Sequence, residues 1–362
     1  MTNPYRKLLQ NVILPFSKYF RLILIPLVPI YLLLFNLKKK IASKATNLDI
    51  PVLCIGNITT GGSGKTPAVI LVAQLLQEAG YNPAIVSRGY RGNLSARGAL
   101  VSDGVNILLD PDESGDEPNL LAMRLNNIPI SIGKNRKKAI LELLFRINID
   151  IILMDDGFQN NSVHKDISII TIDASNPFGN GLILPAGDLR EPKNSLRGAD
   201  IVLITKFDLI PEKDISNLVE RVKRLSGRNT IFMSKYNIDF IYQINHREIK
   251  RSISSIAEKK VLLIAGIANT NAFLKTVKRY NPSDIRLIAY PDHYKYNLND
   301  LNYFIALSAK YDFVIVTEKD YVKLKRFRLN DKFYALRISM IIEEADYFRE
   351  YLMQLVNKVD IV

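Results

Sequence analysis

The run Gly61-Gly62-Ser63-Gly64-Lys65-Thr66 gathers in six positions the residue types that hold a triphosphate. Glycines let successive backbone N–H groups turn inward on phosphate oxygens, a lysine neutralises the β and γ oxygens, and a threonine hydroxyl ligates Mg²⁺ beside a helix N-terminus. The run follows the apolar stretch Pro51 to Gly56 and precedes Pro67, a residue suited to the first turn of a helix. Strand, glycine loop and helix are the context such a loop requires. Thr59 stands where the usual pattern has its first glycine, so Thr59 and Thr60 join Gly61, Gly62, Ser63, Gly64, Lys65 and Thr66 as candidate nucleotide-binding residues. The expected ligands are ATP and Mg²⁺; a glycine-rich turn that binds no nucleotide is the alternative.

A phosphate loop needs a second acidic contribution to the metal, commonly at the end of a hydrophobic strand. Ile149 to Asp156, IDIILMDD, supplies it: Asp155 and Asp156 leave the strand at the edge where phosphates would lie, and Gly157 permits a sharp exit. Ordinary turn chemistry is the competing account, because Asp before Gly is common in turns. Thr205-Lys206-Phe207-Asp208 resembles a weakened guanine-reading motif, which keeps a membrane-associated P-loop GTPase as the second functional class. Against it, a switch GTPase carries D-x-x-G after this strand, and here Phe158 stands three residues after Asp155.

Short β-rich apolar runs alternate with longer amphipathic ones from Asn47 onward, which predicts parallel βαβ units. Strands are expected at PVLCIG, PAIVS, IPISI, IDIILM, ISIITID, ADIVLIT and TIFMS, with helices over Thr66–Ala79, Lys134–Arg146 and between Pro211 and Ser226. KVLLIAGI, DIRLIAY and DFVIVT begin a second alternation. The expected fold is α/β: a three-layer, parallel-sheet P-loop domain over 49–235, a polar linker over 236–256 and a smaller α/β domain over 257–362. Residues 1–48 are expected to form an N-terminal membrane-associating segment. Its apolar run from Leu22 to Leu37 is short for a spanning helix, contains Pro26 and Pro29, and is flanked by Lys18, Arg21 and Lys38 to Lys40. An interfacial anchor on anionic headgroups fits this pattern better than a full crossing.

The 362 residues carry 49 Lys and Arg against 36 Asp and Glu, a net charge of +13, with 48% hydrophobic residues. Such a chain can bury a large interior, and its charge calls for a polyanionic partner. No RNA-binding aromatic signature or Arg-rich tail is present, so a membrane or phosphorylated substrate is expected rather than nucleic acid. One cysteine, Cys54, and three histidines offer neither an internal disulfide nor a Cys/His zinc framework, and suit a reducing compartment.

Eight motifs, the two already described among them, occur in order: Ile55-Gly56-Asn57 with the glycine loop, Ser87-Arg88-Gly89-Tyr90, Gly115-Asp116-Glu117-Pro118, Asp155-Asp156-Gly157-Phe158-Gln159, Leu184 to Gly187, Leu189-Arg190-Glu191-Pro192, Pro291-Asp292-His293 and Thr317-Glu318-Lys319-Asp320. Together, from about residue 50 to residue 325, they resemble the tetraacyldisaccharide 4′-kinases of lipid A biosynthesis. The missing first glycine of the phosphate loop is also that family's variant.

The resemblance implies ATP-dependent phosphorylation of the 4′-hydroxyl of a lipid A precursor, a tetraacylated disaccharide 1-phosphate, at the cytoplasmic face of the bacterial inner membrane. It implies two α/β lobes with the active site between them. Asp116 is then the base that takes the hydroxyl proton, with His293 as its dyad partner; without the resemblance, Asp116 reads equally well as a helix cap. Lys65 holds the phosphates, while Thr66, Asp155, Asp156 and Glu191 serve Mg²⁺. Arg88, Tyr90, Arg136 and Arg190 are candidates for the disaccharide and its phosphate, Arg because it offers bidentate contacts. Asn160 departs from the His that many members carry directly after D-D-G-F-Q.

Overall fold

The computed structural model describes residues 21, 23–41, 45–228 and 230–360. Lys18 and Leu22 therefore lie outside the described residues. A short 3₁₀ turn, Ile25–Leu27, leads into helix α1 (Val28–Ile41). Pro26 sits in that turn and Pro29 in the first turn of α1, where a missing N–H removes no ladder bond, so the two prolines start a helix rather than interrupt one. Among the described residues no helix is long and apolar enough to cross a membrane.

Strand β1 (Val52–Gly56) passes through the glycine loop into α2 (Lys65–Glu78). Then come β2 (Pro83–Ser87), β3 (Ala99–Ser102), the short α3 (Pro111–Ser114), α4 (Asp116–Arg124), β4 (Ile130–Ile132) and α5 (Arg136–Arg146). β5 (Ile151–Asp155), β6 (Ile167–Asp173), β7 (Ile201–Thr205) and α6 (Glu212–Ser226) complete the first alternation. β1, β5, β6 and β7 are buried at every position, as their unbroken Ile, Leu and Val runs demand of central parallel strands.

The second alternation runs β8 (Ile231–Gln243), β9 (Lys250–Arg251), β10 (Lys260–Ala265), α7 (Thr270–Lys278), β11 (Asp284–Ala289) and α8 (Leu298–Ser308). β12 (Phe313–Thr317), α9 (Glu318–Leu324), β13 (Phe333–Ile342) and α10 (Ala345–Asp360) follow. All the strands form one sheet, ordered β11-β10-β12-β13-β8-β7-β6-β1-β5-β2-β4-β3, with β9 beside β8. Neighbours are parallel except β3–β4, β8–β9 and β8–β13.

The stretch 236–256 is not the irregular linker expected from its polarity. Its first part, through Gln243, belongs to β8, which pairs with β7 through Ile231–Ser234 and with β13 from Ser234 to Gln243, so one strand belongs to both halves. Its polar residues alternate with Ile238, Ile241 and Tyr242, which are buried, the pattern of a strand with one wet face. The C-terminal residues also return to the first half. Met340, Ile342, Phe348, Leu352 and Val356 join the cluster built on Leu53, Val69 and Leu76, and Phe348 meets Phe232 edge to face at 5.0 Å. A second and a third cluster lie on the two sides of β10, β12 and β13.

Candidate active site

β1, β5, β6 and β7 point their C-terminal ends at one edge of the sheet, the position where open α/β sheets place their ligands. A cleft of about 830 Å³ lies there, bounded on the other side by the loops after β10 and β11.

The glycine loop faces this cleft. Gly61 and Gly64 have φ of 103° and 85°, values that only glycine adopts readily. A Cβ on Gly64 would lie 2.6 Å from the Tyr236 hydroxyl, whereas at Gly61 and Gly62 the nearest atom would be the Ala268 methyl at 3.8 and 3.7 Å. The loop is braced from behind. Ser63 Oγ hydrogen-bonds Thr171 Oγ1 at 2.8 Å, the Thr205 hydroxyl donates to the Ser63 carbonyl at 3.0 Å, and Lys206 Nζ donates to the Gly62 carbonyl at 2.9 Å and pairs with Asp173. Lys65 Nζ donates to Asn57 Oδ1 at 3.2 Å and lies 3.5 Å from Asp156 Oδ1. Thr60 and Thr66 line the cleft; Thr59 is buried below it, its hydroxyl accepting from Asn57 Nδ2 at 3.3 Å.

Asp155, at the end of β5, is 1% exposed; its Oδ2 accepts from the Ser87 hydroxyl at 2.9 Å and its Oδ1 has no hydrogen-bond partner. Burial, with the nearby charges of Glu117 and Asp156, pushes this carboxyl up to about 7. Asp156 follows in a left-handed conformation, φ 49°, which turns its carboxylate toward Lys65 and Arg190. Burial works against its charge, but those two cations outweigh burial and hold the carboxyl below the usual range. A buried carboxylate oxygen without a partner is costly, and a cation beside it would remove that cost. Two carboxylates and a Thr hydroxyl also suit Mg²⁺, which takes few protein ligands and fills its shell with water and phosphate.

Four elements meet around His293. The ring Nδ1 lies 3.2 Å from Asp116 Oδ2, its Nε2 3.1 Å from Lys319 Nζ, and Arg91 donates to its carbonyl at 2.8 Å. Asp116 is the first residue of α4 and caps nothing, since Gly115 holds the N-cap position. Burial raises its carboxyl, yet the His293 hydrogen bond and the charges of Lys323 and Lys319 hold it below the ordinary value. Asp116 lines a smaller cavity that shares His293 and Arg91 with the cleft.

The remaining candidates divide. Arg88, Tyr90 and Arg190 line the cleft; Tyr90 stands edge-on to His293 at 5.2 Å, and both oxygens of Asp156 accept from Arg190 Nη1 at 3.0 to 3.1 Å. Arg136 does not reach the cleft. It is 3% exposed at the start of α5 and donates to the Gly133 and Asp155 carbonyls, so it supports the acidic strand end from behind. Glu191 is likewise buried and does not line the cleft, because the backbone of Arg190 and Glu191 is pinned to the Ile58 carbonyl. Asn160 accepts from the Ser162 amide and hydroxyl, a local turn bond rather than a cleft contact. Asp208 is paired with Arg279, the C-cap residue of α7, at 2.6 Å, so the carboxylate that would read guanine is held in an ion pair between the two halves.

Sequence reasoning gave no role to Lys319, Glu117 or the Arg124–Glu318 pair, although all line the cleft. Lys319 and Glu318 lie in the Thr317 to Asp320 motif directly after an apolar strand, the same placement that singled out Asp155. Their partners Glu117 and Arg124 are about 200 positions away, which no local pattern records.

The model of the tetraacyldisaccharide-1-P 4′-kinase family matches residues 20–357. A tetraacyldisaccharide 4′-kinase of Syntrophus aciditrophicus is 36% identical over 289 residues, covering 78% of this chain and 77% of that protein. One of Desulfatibacillum aliphaticivorans is 33% identical over 328 residues, covering 88% and 87%. The crystal structure of LpxK from Aquifex aeolicus in complex with ATP superposes with a TM-score of 0.72 at 23% identity, covering 93% of this chain and 99% of that one. With the family's match running from helix α1 to α10 over this phosphate loop and cleft, the chain belongs to the tetraacyldisaccharide-1-P 4′-kinase family.

Proposed function

We propose that this protein transfers the γ-phosphoryl group of ATP to the 4′-hydroxyl of a tetraacylated disaccharide 1-phosphate, forming the bisphosphate lipid IVA. The observation that carries the reading is one cleft lined by both the open glycine loop around Lys65 and His293, whose ring meets Asp116 in the smaller cavity beside it. Phosphoryl transfer asks a protein for alignment and charge neutralisation rather than covalent chemistry. Lys65 neutralises the phosphates. The acceptor oxygen attacks the γ-phosphorus, the bond to the β–γ bridging oxygen breaks, ADP leaves, and the hydroxyl proton passes to Asp116. The depressed pKa of Asp116 keeps it ionised and able to accept that proton. Thr66, Asp155 and Asp156 would hold Mg²⁺, which when bound neutralises the β and γ oxygens. Arg88 and Tyr90, on the same rim of the cleft, would meet the disaccharide and its phosphate.

The acyl chains keep the acceptor in the bilayer, and the exposed Ile23, Ile30, Leu33 and Leu34 support docking of α1 and the residues before it on the cytoplasmic face of the inner membrane. Tyr31 of α1 donates to the Arg190 carbonyl at 3.0 Å, which ties this surface to the site. Purified protein with ATP, Mg²⁺ and the disaccharide 1-phosphate in detergent should give a product one phosphate heavier by mass spectrometry, and Lys65→Ala should abolish it. Folded protein that gives none would overturn the reading.

A further inference from the structure

Of the Asp116–His293 pair only His293 lines the main cleft, so whatever fixes its ring decides how Asp116 is held beside it. Lys319, the second residue of α9, bears on that ring. Its ammonium lies 3.1 Å from three acceptors on two other elements: Glu117 Oε1, Asp292 Oδ1 and His293 Nε2. An ammonium has three N–H donors and no lone pair, so these three contacts use all of its capacity. The side chain is 15% exposed, and although burial works against its charge, Glu117 and Asp292 keep the amine protonated. His293 Nε2 must therefore accept, and a neutral ring that accepts at Nε2 carries its hydrogen at Nδ1, where it donates to Asp116 Oδ2 at 3.2 Å. The backbone adds to the constraint. His293 sits at φ 59°, its amide donates to Asp292 Oδ1 at 3.0 Å, and its carbonyl is held by Arg91. The other charged groups near the pair are Asp292 Oδ2, 3.7 Å from Nε2, and Lys323, 3.9 Å from Asp116 Oδ2.

We infer that Lys319 is a positioning residue that locks His293 in the Nδ1–H tautomer, so that the ring clamps Asp116, the base of the proposed reaction, in one orientation. This rests on the kinase reading and deepens it. The lock leaves neither ring nitrogen with a lone pair facing the substrate: Nε2 is filled by Lys319 and Nδ1 carries the hydrogen that Asp116 accepts. Glu117 and Asp292, by sharing the same ammonium, fix α4 and the loop after β11 at the spacing the clamp requires.

The test is the ¹⁵N–¹H correlation spectrum of the histidine rings in the full ligand-free chain. Only His164, His246 and His293 contribute, and His293→Gln identifies the third signal. At neutral pH wild-type His293 should show an unprotonated Nε2 and a protonated Nδ1. Lys319→Met should move the ring to the Nε2–H form or to a mixture, lowering kcat about 10- to 100-fold, as removing the partner that orients a functional histidine does. The KM for ATP should stay within about twofold, and Lys319→Arg should restore part of both the tautomer signal and kcat. A protonated Nε2 in the wild type overturns the inference whether or not any variant folds. So does a folded Lys319→Met protein that keeps the wild-type tautomer or the wild-type kcat. Because the ring spectrum needs no turnover, a protein that shows the lock yet fails the transfer assay refutes the kinase reading instead.

Discussion

Replacing Asp155 by Asn should make the ligand-free protein more stable, and only at neutral and alkaline pH. The Asp155 carboxyl is sealed at the end of β5 with one oxygen on Ser87 and the other unpartnered. Burial first, then Glu117 and Asp156, raise it from 3.8 to about 7. A group whose pKa rises on folding binds its proton more tightly in the folded state. The wild type thus has that stability in full below its unfolded pKa and loses it as pH climbs through the folded value. A shift of about three units at ~1.4 kcal/mol each amounts to about 4 kcal/mol above neutrality, an upper figure for a site this buried. Asparagine copies the neutral acid and escapes the loss. An unfolding entropy of roughly 2 cal/mol/K per residue converts that figure to a melting point about 5 °C higher near pH 8, shrinking to nothing near pH 4. Thermal melts of both proteins in EDTA across that range check the size and sign, and the transfer assay run beside them should show the variant inactive. A variant that melts at or below the wild type near pH 8, or one whose advantage is constant with pH, would refute the reasoning.

Asp116→Asn should lower kcat by roughly 10²- to 10⁴-fold, the usual worth of a positioned base, while leaving the ATP dissociation constant unchanged by calorimetry. Gly64→Ala should destabilise the fold by about 2 kcal/mol or more, because an alanine there meets both an unfavourable φ and the Tyr236 hydroxyl; urea unfolding gives the figure, and nucleotide binding should fall with it. Asp208→Ala should change stability by less than about 1 kcal/mol, since its Arg279 partner is half exposed, and should leave the preference for ATP over GTP intact; a preference that shifts toward ATP would show Asp208 reading the base.

Much of the first half is written locally. Parallel strands buried on both faces read as unbroken Ile, Leu and Val, and the glycine loop lies between one of them and a helix, so β1, α2, β5 and the acids after it follow from short windows. The second half obscured its own topology. β8 is half central strand and half solvent-facing ribbon, and the polar residues of the ribbon read as linker. Nothing in the composition of β13 tells that it runs antiparallel to β8, or that α10 docks beside α2. At the site, Asp116 and His293 are legible as members of motifs, but Arg136 shows the limit of residue type. An arginine at a helix start next to a phosphate site suggests a ligand contact, and only the fold reveals that its fork is turned inward onto the Asp155 carbonyl. Lys319 shows the reverse: its three acceptors come from helix α4 and from the loop after β11, so its importance is a property of the closed chain alone.

The docking of α10 sets the order in which this protein can mature. Phe348, Leu352 and Val356 supply part of the interior that covers Phe232 and the inner side of α2, and Tyr81 donates to Asn357 Oδ1 at 3.0 Å. Residues 345–360 leave the ribosome long after the glycine loop has emerged. A nascent chain halted before them carries the whole phosphate-binding sequence with a greasy flank uncovered. The interior behind the glycine loop's helix is closed only when this late segment packs over an early one.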